Sequence, residues 1–334
     1  MTTFKEIRGT TIEVVSTDPT NPEEGQIWYN SSSGTLKGYQ NATLNTWASG
    51  GNYPISMGSA MSAGTQTAGI VFGGYNVSNV VQSLTATYNG TTWTNTPGSL
   101  NTARATGGGC GSQTAALAFN GGTPAAPPPS NAVLNTESYN GSTWTTVNNM
   151  NTSRWIGAGT GIQTAAIYAG GYNPGGGPQT AVSAVESWNG TNWTTVTSIN
   201  SQRGYVVGSG IQTAAIIYGG YNWNGPGESA AVENYNGTSW TNATSLPSAR
   251  YNHGGSGSQT AAITFGGTAN LTDLWNGSSW TNTNNMASSR GSSTKQVGTQ
   301  NNALAVGGDP GTGSVASTEE FTGIGLGIKT ITVS

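Results

Sequence analysis

The sequence is poor in cysteine, histidine and charged residues. Its 334 residues include one cysteine, Cys110, and one histidine, His253, which excludes an internal disulfide and a zinc site built from Cys and His ligands. Only 7% of the residues are charged and the net charge is −3, so no basic stripe is available for nucleic-acid phosphates. The sequence also lacks a run of 18 apolar residues and an N-terminal signal-peptide pattern. We therefore predict a soluble protein with no metal, no cofactor, no nucleic-acid partner and no membrane insertion.

What the sequence does contain is an internal repeat. Pairs of glycines recur roughly every 50 residues, beginning at Gly73, Gly121, Gly170, Gly219, Gly266 and Gly307. A short apolar segment precedes each pair, and a loop of variable length follows it. An aromatic residue, Asn-Gly and a tryptophan come next, as in YNGTSW at 235–240. Because the apolar segments are too short for helices and Asn-Gly favours a type I′ hairpin turn, each repeat is predicted to be a four-stranded antiparallel meander.

Two sets of residues occupy equivalent positions in successive repeats. The tryptophans, which we expect to pack between neighbouring units, are Trp47, Trp93, Trp144, Trp193, Trp240 and Trp280. The arginines are Arg104, Arg154, Arg203, Arg250 and Arg290, and their units carry the acids Glu137, Glu186, Glu233, Asp273 and Glu319. Where Met57 replaces the arginine, Ala86 replaces the acid. We interpret the arginines and acids as structural ion pairs rather than as an anion-binding site.

The order of these features resembles the kelch repeat from about residue 57 to the end of the chain. An arginine, a first strand, an apolar strand ending in Gly-Gly, an acid, an aromatic residue and a tryptophan follow one another in the units that begin at Arg104, Arg154, Arg203 and Arg250. The resemblance implies an all-β propeller of four-stranded blades. The last unit departs from the pattern: Phe321, Thr322 and Gly323 replace the aromatic-Asn-Gly turn, and Leu326 stands where a tryptophan is expected. GIKTITVS remains as a predicted outermost strand.

The first 50 residues determine the predicted number of blades. TIEVV, IWYN, TLKGYQ and NTWAS can supply four strands, which gives seven blades. The alternative is six blades in residues 51–334 and an attachment arm in residues 1–50, because 7 of the 23 charged residues fall within the first 24 positions. The segment STDPTNPEEGQIWYNSSSGTLKGY also resembles the N-terminal segment of structural and tail-fibre proteins of marine tailed bacteriophages. The whole chain resembles the kelch-like virion proteins of that group.

Candidate binding residues lie where the units differ. The variable loops and the connections between units are predicted to share one rim, which carries Tyr75, Trp155, Tyr172, Tyr205, Tyr221, Trp223, Tyr251 and His253. Aromatic faces among Asn and Gly suit the stacking of sugars. The alternative is that these side chains only plug the channel or cover loops. The opposite face, made of Gly-x-Gln-Thr and Asn-Gly turns, is uniform and suits docking onto a repetitive surface.

These observations predict a non-enzymatic virion protein. Its expected role is that of a tail or fibre adhesin whose partners are other virion proteins and a host surface polysaccharide. The alternative is a capsid or tail decoration protein with a purely structural role. A polysaccharide lyase using Tyr205, Tyr251 and His253 is a third, weaker hypothesis, because the sequence identifies no convergent pair of carboxylates for acid-base chemistry.

Overall fold

The structure is a computed structural model that describes residues 12–123, 132–173, 180–291 and 297–331. All regular structure in these ranges is β-strand. The contacts divide the chain into a smaller unit, Met1–Asn45 with Thr322–Ser334, and a larger unit, Thr46–Phe321. The predicted separation of residues 1–50 from residues 51–334 stays a prediction. No helix in the described ranges is suited to cross a membrane.

Most strands have two to five residues, and only β3 and β31 are longer. The first eleven are β1 (Glu13–Val15), β2 (Ile27–Asn30), β3 (Thr35–Gly50), β4 (Met57–Gly58), β5 (Met61–Thr65), β6 (Ala68–Phe72), β7 (Tyr75–Asn76), β8 (Thr85–Tyr88), β9 (Trp93–Asn95), β10 (Gly108–Gly111) and β11 (Ala116–Phe119). The next ten are β12 (Thr136–Tyr139), β13 (Trp144–Val147), β14 (Ala158–Ile162), β15 (Ala165–Ala169), β16 (Tyr172–Asn173), β17 (Thr180–Ala181), β18 (Val185–Trp188), β19 (Trp193–Val196), β20 (Val207–Ile211) and β21 (Ala214–Tyr218). The remainder are β22 (Tyr221–Asn222), β23 (Gly227–Glu228), β24 (Val232–Tyr235), β25 (Trp240–Ala243), β26 (Gly254–Gly257), β27 (Ala262–Phe265), β28 (Thr272–Trp275), β29 (Trp280–Asn282), β30 (Asn302–Val306) and β31 (Thr318–Thr330).

In the smaller unit, the carboxylate of Asp18 joins two strands. β1 pairs with β2 in parallel, and β2 pairs with β3 in antiparallel register. Asp18 accepts hydrogen bonds from the side chains of Trp28 (3.0 Å), Asn30 (2.6 Å) and Lys37 (2.7 Å). These donors stabilise the ionised carboxylate, so the bonds from Lys37, Asn30 and Trp28, in that order, lower the pKa of Asp18 to about 2.

This contact predicts a pH-dependent order in the smaller unit. The pKa of Asp18 in the folded protein lies below its unfolded value of about 3.9. The contribution of Asp18 to stability is therefore fully present above the unfolded value and is lost as the pH falls through about 2. Asp18→Asn is expected to shift the indole N–H resonance of Trp28 at neutral pH, and the difference from the parent should shrink as the pH falls towards 2. An equal difference at both pH values would contradict the assignment.

The described residues of the larger unit form six main sheets, named blades 1 to 6 in chain order, and three two-stranded sheets, β4-β7, β16-β17 and β22-β23. Blades 1 to 5 are four-stranded and are formed by β5-β6-β8-β9, β10-β11-β12-β13, β14-β15-β18-β19, β20-β21-β24-β25 and β26-β27-β28-β29. Blade 6 contains β30, residues 318–321 of β31 and residues 46–50 of β3, and β31 lies between the other two strands. This antiparallel, repeated architecture is a β-propeller, which confirms the predicted all-β fold class.

Small residues in the first strands let the blades approach one another closely. A Cβ atom at Gly159 would lie 2.8 Å from the ring of Phe119 and 3.1 Å from the Cα atom of Gly108 in the preceding blade. The second strands, such as Ala165–Ala169, are almost wholly buried. Burial on both faces explains why these strands are continuously apolar rather than alternating.

Six glutamines connect the blades into a closed series. Gln113 donates from the turn of blade 2 to the carbonyls of Gly69 and Tyr88 in blade 1. Equivalent bonds are made by Gln163, Gln212, Gln259 and Gln300. Gln66 of blade 1 completes the series by donating to Ala303 (3.1 Å) and Phe321 (2.9 Å) of blade 6. In the described residues the series therefore has six members.

The predicted count of seven blades is not confirmed. TLKGYQ and NTWAS, which were expected to be separate strands, form the single strand β3. Trp47 belongs to blade 6, where its ring lies 5.1 Å from Phe265 and 5.2 Å from Phe321. The predicted outermost strand GIKTITVS is not a separate strand, because residues 327–330 continue β31, which begins at Thr318 and lies between β3 and β30. The N-terminal strand thus completes the last blade instead of building a blade of its own.

The Asn-Gly segments form hairpins of a different type from the one predicted. In each case the flanking aromatic residues pair, as Tyr88 does with Trp93, and Gly90 has a positive φ of 90° whereas Asn89 does not. The side-chain oxygen of Asn89 accepts hydrogen bonds from the backbone of Thr91 (3.0 Å) and Thr92 (2.8 Å). This is an asparagine-centred turn within a four-residue loop rather than a type I′ turn.

The repeated tryptophans lie between blades. Trp144 contacts Phe72 of the preceding blade at 4.7 Å, and Trp193 contacts Phe119 at 4.9 Å. The indole N–H groups of these two residues donate to Thr85 and Thr136, each at 3.0 Å. The equivalent bonds of the other blades run from Trp47 to Thr272, from Trp93 to Thr318 and from Trp240 to the carbonyl of Thr197. Trp280 packs on Tyr218 at 5.1 Å.

The repeated arginines and acids form buried ion pairs. Arg104–Glu137 (2.5 Å), Arg154–Glu186 (2.8 Å), Arg203–Glu233 (2.5 Å), Arg250–Asp273 and Arg290–Glu319 are all in contact. Burial lowers the pKa of Arg154, and the carboxylate of Glu186 acts against that effect. Glu186 also accepts the backbone N–H of Asn151 at 2.7 Å. Equivalent backbone bonds are accepted by Glu137, Glu233 and Glu319, so these glutamates secure the incoming connections of their own blades.

Candidate functional site

The rim of the larger unit is held in place by short backbone pairings. Trp155 pairs with Tyr172, and Gly204 pairs with Tyr221, in isolated antiparallel bridges. β22 and β23 form a small hairpin in which Tyr221 lies opposite Glu228. Two of the variable loops, GGTPAAPPPSN at 121–131 and GGYNPGGGPQ at 170–179, lie partly outside the described residues. These pairings fix the backbone positions of Trp155, Tyr172 and Tyr221.

Six of the eight predicted binding residues form one aromatic cluster. Its members are Trp155, Tyr172, Tyr205, Tyr221, Trp223 and Tyr251, and all are half-buried. Trp155 contacts Tyr172 at 4.9 Å, and Tyr205 and Tyr221 contact Tyr251 at 5.5 and 5.1 Å. Trp223 touches three tyrosines: Tyr172 (5.7 Å), Tyr205 (5.6 Å) and Tyr221 (5.1 Å). Residues from blades 3, 4 and 5 thus combine into a continuous surface of rings.

Trp223, one of the predicted rim residues, is half-buried among other rings. It lies at the centre of the cluster, because the β22–β23 hairpin folds its ring back over Gly204, where an added Cβ atom would lie 2.9 Å from the indole. The edge-to-face and tilted geometries of its contacts are favourable for aromatic pairs. The ring is therefore fixed before any ligand arrives.

The other two predicted residues lie elsewhere. Tyr75 is on the rim of blade 1. Burial raises the pKa of Tyr205, and the nearby hydroxyls of Tyr251 and Tyr75 add to this effect in that order. Tyr205 therefore remains a hydrogen-bond donor at neutral pH. His253 was predicted to lie on the rim, and this is wrong. It is fully buried, with its ring 6.0 Å from that of Tyr218, because it leads into β26 and points inward.

A pocket at the centre of the rim was not predicted from the sequence. Five of the residues that line it stand two positions after Met57 or after one of the repeated arginines: Ser59, Thr106, Ile156, Tyr205 and Asn252. All five have positive φ values, between 51° and 63°, a conformation that is especially unfavourable for the β-branched Thr106 and Ile156. Such strain is on the order of 1 to 3 kcal/mol for each residue. The backbone N–H of Thr106 donates to the carbonyl of Ser59 (2.9 Å), and the backbone N–H of Ile156 donates to the carbonyl of Thr106 (2.7 Å).

No charged side chain lines this pocket, whose remaining walls are Ala60, Met61, Ser62, Gly107, Gly108, Gly109, Gly157 and Gly159. In the described ranges, no three His, Cys, Asp or Glu side chains are grouped as a metal site would require. The pocket and the aromatic cluster can therefore offer ring faces, hydroxyls and amides to a ligand. That combination favours an uncharged, hydroxyl-rich molecule.

The opposite face is less uniform chemically than predicted. The glutamines of its Gly-x-Gln-Thr turns are engaged between blades, so they are not displayed for docking. Ile162 and Ile211, at equivalent turn positions of adjacent blades, are each 54% exposed. The Asn-Gly turns are exposed as expected.

Comparison with known proteins shows the fold only. No family model matches the sequence, and no curated protein matches it. Among solved structures, the one titled "Structure of YjhT" is similar, with a TM-score of 0.67 and 12% sequence identity over 83% of this chain and 99% of that one. At this identity the similarity supports a propeller and says nothing about ligand or activity.

Proposed function

We propose that the protein is a non-enzymatic binding protein that recognises a neutral surface polysaccharide through the aromatic cluster. The observation that carries this proposal is the convergence of six half-buried rings from three blades around Trp223. Rigid rings supply contact area at low entropic cost, and the apolar faces of sugar rings stack on them. The raised pKa of Tyr205 keeps its hydroxyl protonated beside those rings.

The biological setting that we propose is a virion. The support for it is the resemblance of the chain to kelch-like virion proteins of tailed bacteriophages, including the segment STDPTNPEEGQIWYNSSSGTLKGY. In this setting the protein is a tail or fibre adhesin whose rim faces the host. A decoration protein is the second candidate, because the exposed Ile162 and Ile211 give the opposite face an apolar patch suited to contact with another virion protein.

A lyase is disfavoured by two features of the suspected residues. His253 is fully buried, so it cannot reach a polysaccharide on the rim. The pKa of Tyr205 is raised rather than lowered, which makes its hydroxyl a poorer general base near neutral pH. Release of unsaturated sugar ends from host polysaccharide by the purified protein would contradict the non-enzymatic assignment.

Trp223→Ala is expected to weaken binding to host-cell polysaccharide about tenfold, because an aromatic anchor at the centre of an interface contributes on the order of 1 to 3 kcal/mol. Affinity electrophoresis in gels containing the polysaccharide measures this change. Thr238→Ala, in an exposed Asn-Gly turn on the opposite face, is the control and should bind like the parent. If Trp223→Ala binds normally while Thr238→Ala impairs incorporation into virions, the decoration role replaces the adhesin role.

A further inference from the structure

Five residues around the central pocket have positive φ values, and this backbone conformation does not by itself require the side chains found there. Elsewhere in its described residues, the chain has positive φ at glycines, such as Gly73 and Gly210, or at asparagines, namely Asn45, Asn79 and Asn120. At the pocket it has Ser59, Thr106, Ile156, Tyr205 and Asn252 instead. Because glycine adopts this conformation without strain, a strained set of side chains that converge on one pocket indicates a role for the side chains themselves.

The chemistry of these side chains matches a neutral sugar residue. Ser59 and Tyr205 carry hydroxyls that can donate and accept hydrogen bonds, and Asn252 carries a carboxamide. The hydroxyl of Thr106 donates to the carbonyl of Ala105 and can still accept. Ile156 supplies an apolar wall, and the glycines of the first strands leave backbone at the pocket surface. The ionisable groups of the repeat are paired inside the blades, as Arg154 is with Glu186. An anionic ligand would therefore find no countercharge among the residues that line the pocket.

Tyr205 belongs to both the pocket and the aromatic cluster. It lines the pocket, while its ring lies 5.6 Å from Trp223 and 5.5 Å from Tyr251. We propose that the central pocket, with a volume of about 30 Å³, takes the hydroxyl-bearing edge of one uncharged sugar residue by hydrogen bonds, while the aromatic cluster stacks on the next residue of the chain. The smallest ligand that engages the whole site is thus a neutral disaccharide. This inference rests on the proposed polysaccharide-binding function and adds the pocket to it.

The test uses neutral oligosaccharides of one to six residues, prepared by partial hydrolysis of the host polysaccharide and titrated by NMR. For the parent, affinity should rise sharply between one and two residues. Ser59→Gly and Thr106→Gly should weaken binding at every length by about tenfold, with melting temperatures no lower than the parent's because the strain is relieved. Trp223→Ala should leave binding of the monosaccharide unchanged and remove the gain from the second residue.

The outcomes separate the two proposals. If Ser59→Gly and Thr106→Gly bind like the parent at every length while Trp223→Ala is weaker, the pocket is not a subsite, and the proposed function stands. If acidic oligosaccharides, prepared in the same way from an anionic polysaccharide, bind more tightly than neutral ones, the assignment of an uncharged ligand is wrong. If the parent binds neither the oligosaccharides nor the intact polysaccharide, both proposals fail.

Discussion

Arg154→Met is expected to lower the free energy of unfolding by about 3 to 5 kcal/mol, because it leaves a buried carboxylate without its partner. Glu186 is 1% exposed and lies 2.8 Å from the guanidinium. The backbone N–H groups of Asn151 and Thr152 remain as donors to Glu186, but they do not neutralise its charge. Arg154 also donates to the carbonyl of Tyr168, which loses that bond. Urea denaturation followed by tryptophan fluorescence measures the change.

The chain itself offers the control for this substitution. In blade 1 the equivalent positions are Met57 and Ala86, both buried in one apolar cluster. The double variant Arg154→Met/Glu186→Ala copies that solution, so it should be clearly more stable than Arg154→Met alone, since no charge is left unpaired. If the single and double variants unfold at the same urea concentration, the ion pair is not the reason for the destabilisation.

Trp193→Ala is expected to destabilise the protein by about 3 to 5 kcal/mol, the range for removing a large buried aromatic side chain. Trp193 packs on Phe119 of the preceding blade at 4.9 Å and on Trp188 of its own blade at 5.4 Å. Its loss would open a cavity between two blades and would leave the hydroxyl of Thr136 without the indole N–H that it accepts. Calorimetric unfolding measures the effect.

Phenylalanine variants separate packing from hydrogen bonding. Trp193→Phe removes a hydrogen bond as well as ring area. Trp280→Phe removes ring area only, because the indole N–H of Trp280 has no acceptor within the described residues. Trp193→Phe should therefore be more destabilising, by about 1 kcal/mol. Equal destabilisation by the two variants would show that the indole–threonine bond contributes nothing to the stability of the blade interface.

The repeat could be predicted from the sequence because each blade is built from local pairings. The apolar segment, the Asn-Gly turn and the tryptophan are neighbours in the chain, so their spacing is visible. The blade count could not be obtained in this way. Trp47 has the sequence pattern of a repeat, but its strand neighbours β31, from the far end of the chain. That pairing depends on closure of the series, as does the bond from Gln66 to Phe321.

The candidate site was only partly accessible to sequence reasoning. The variable loops indicated the rim and six of its aromatic residues, but their contacts depend on how neighbouring blades place them, so the central position of Trp223 was not visible. His253 was misplaced because strand β26 begins at the next residue and the side chain points into the interior. The left-handed residues of the pocket were missed since only Asn252 is of a type that commonly adopts this conformation.

Hydroxyl-radical footprinting with and without host polysaccharide tests most directly whether the rim is the binding surface. Oxidation of Trp155, Tyr172, Tyr221 and Trp223 should fall when the polysaccharide is present, because these half-buried rings form the proposed contact surface. Oxidation of Ile162 and Ile211, exposed on the opposite face, should stay the same. Protection of the two isoleucines with no change at the four rim aromatics would contradict the account.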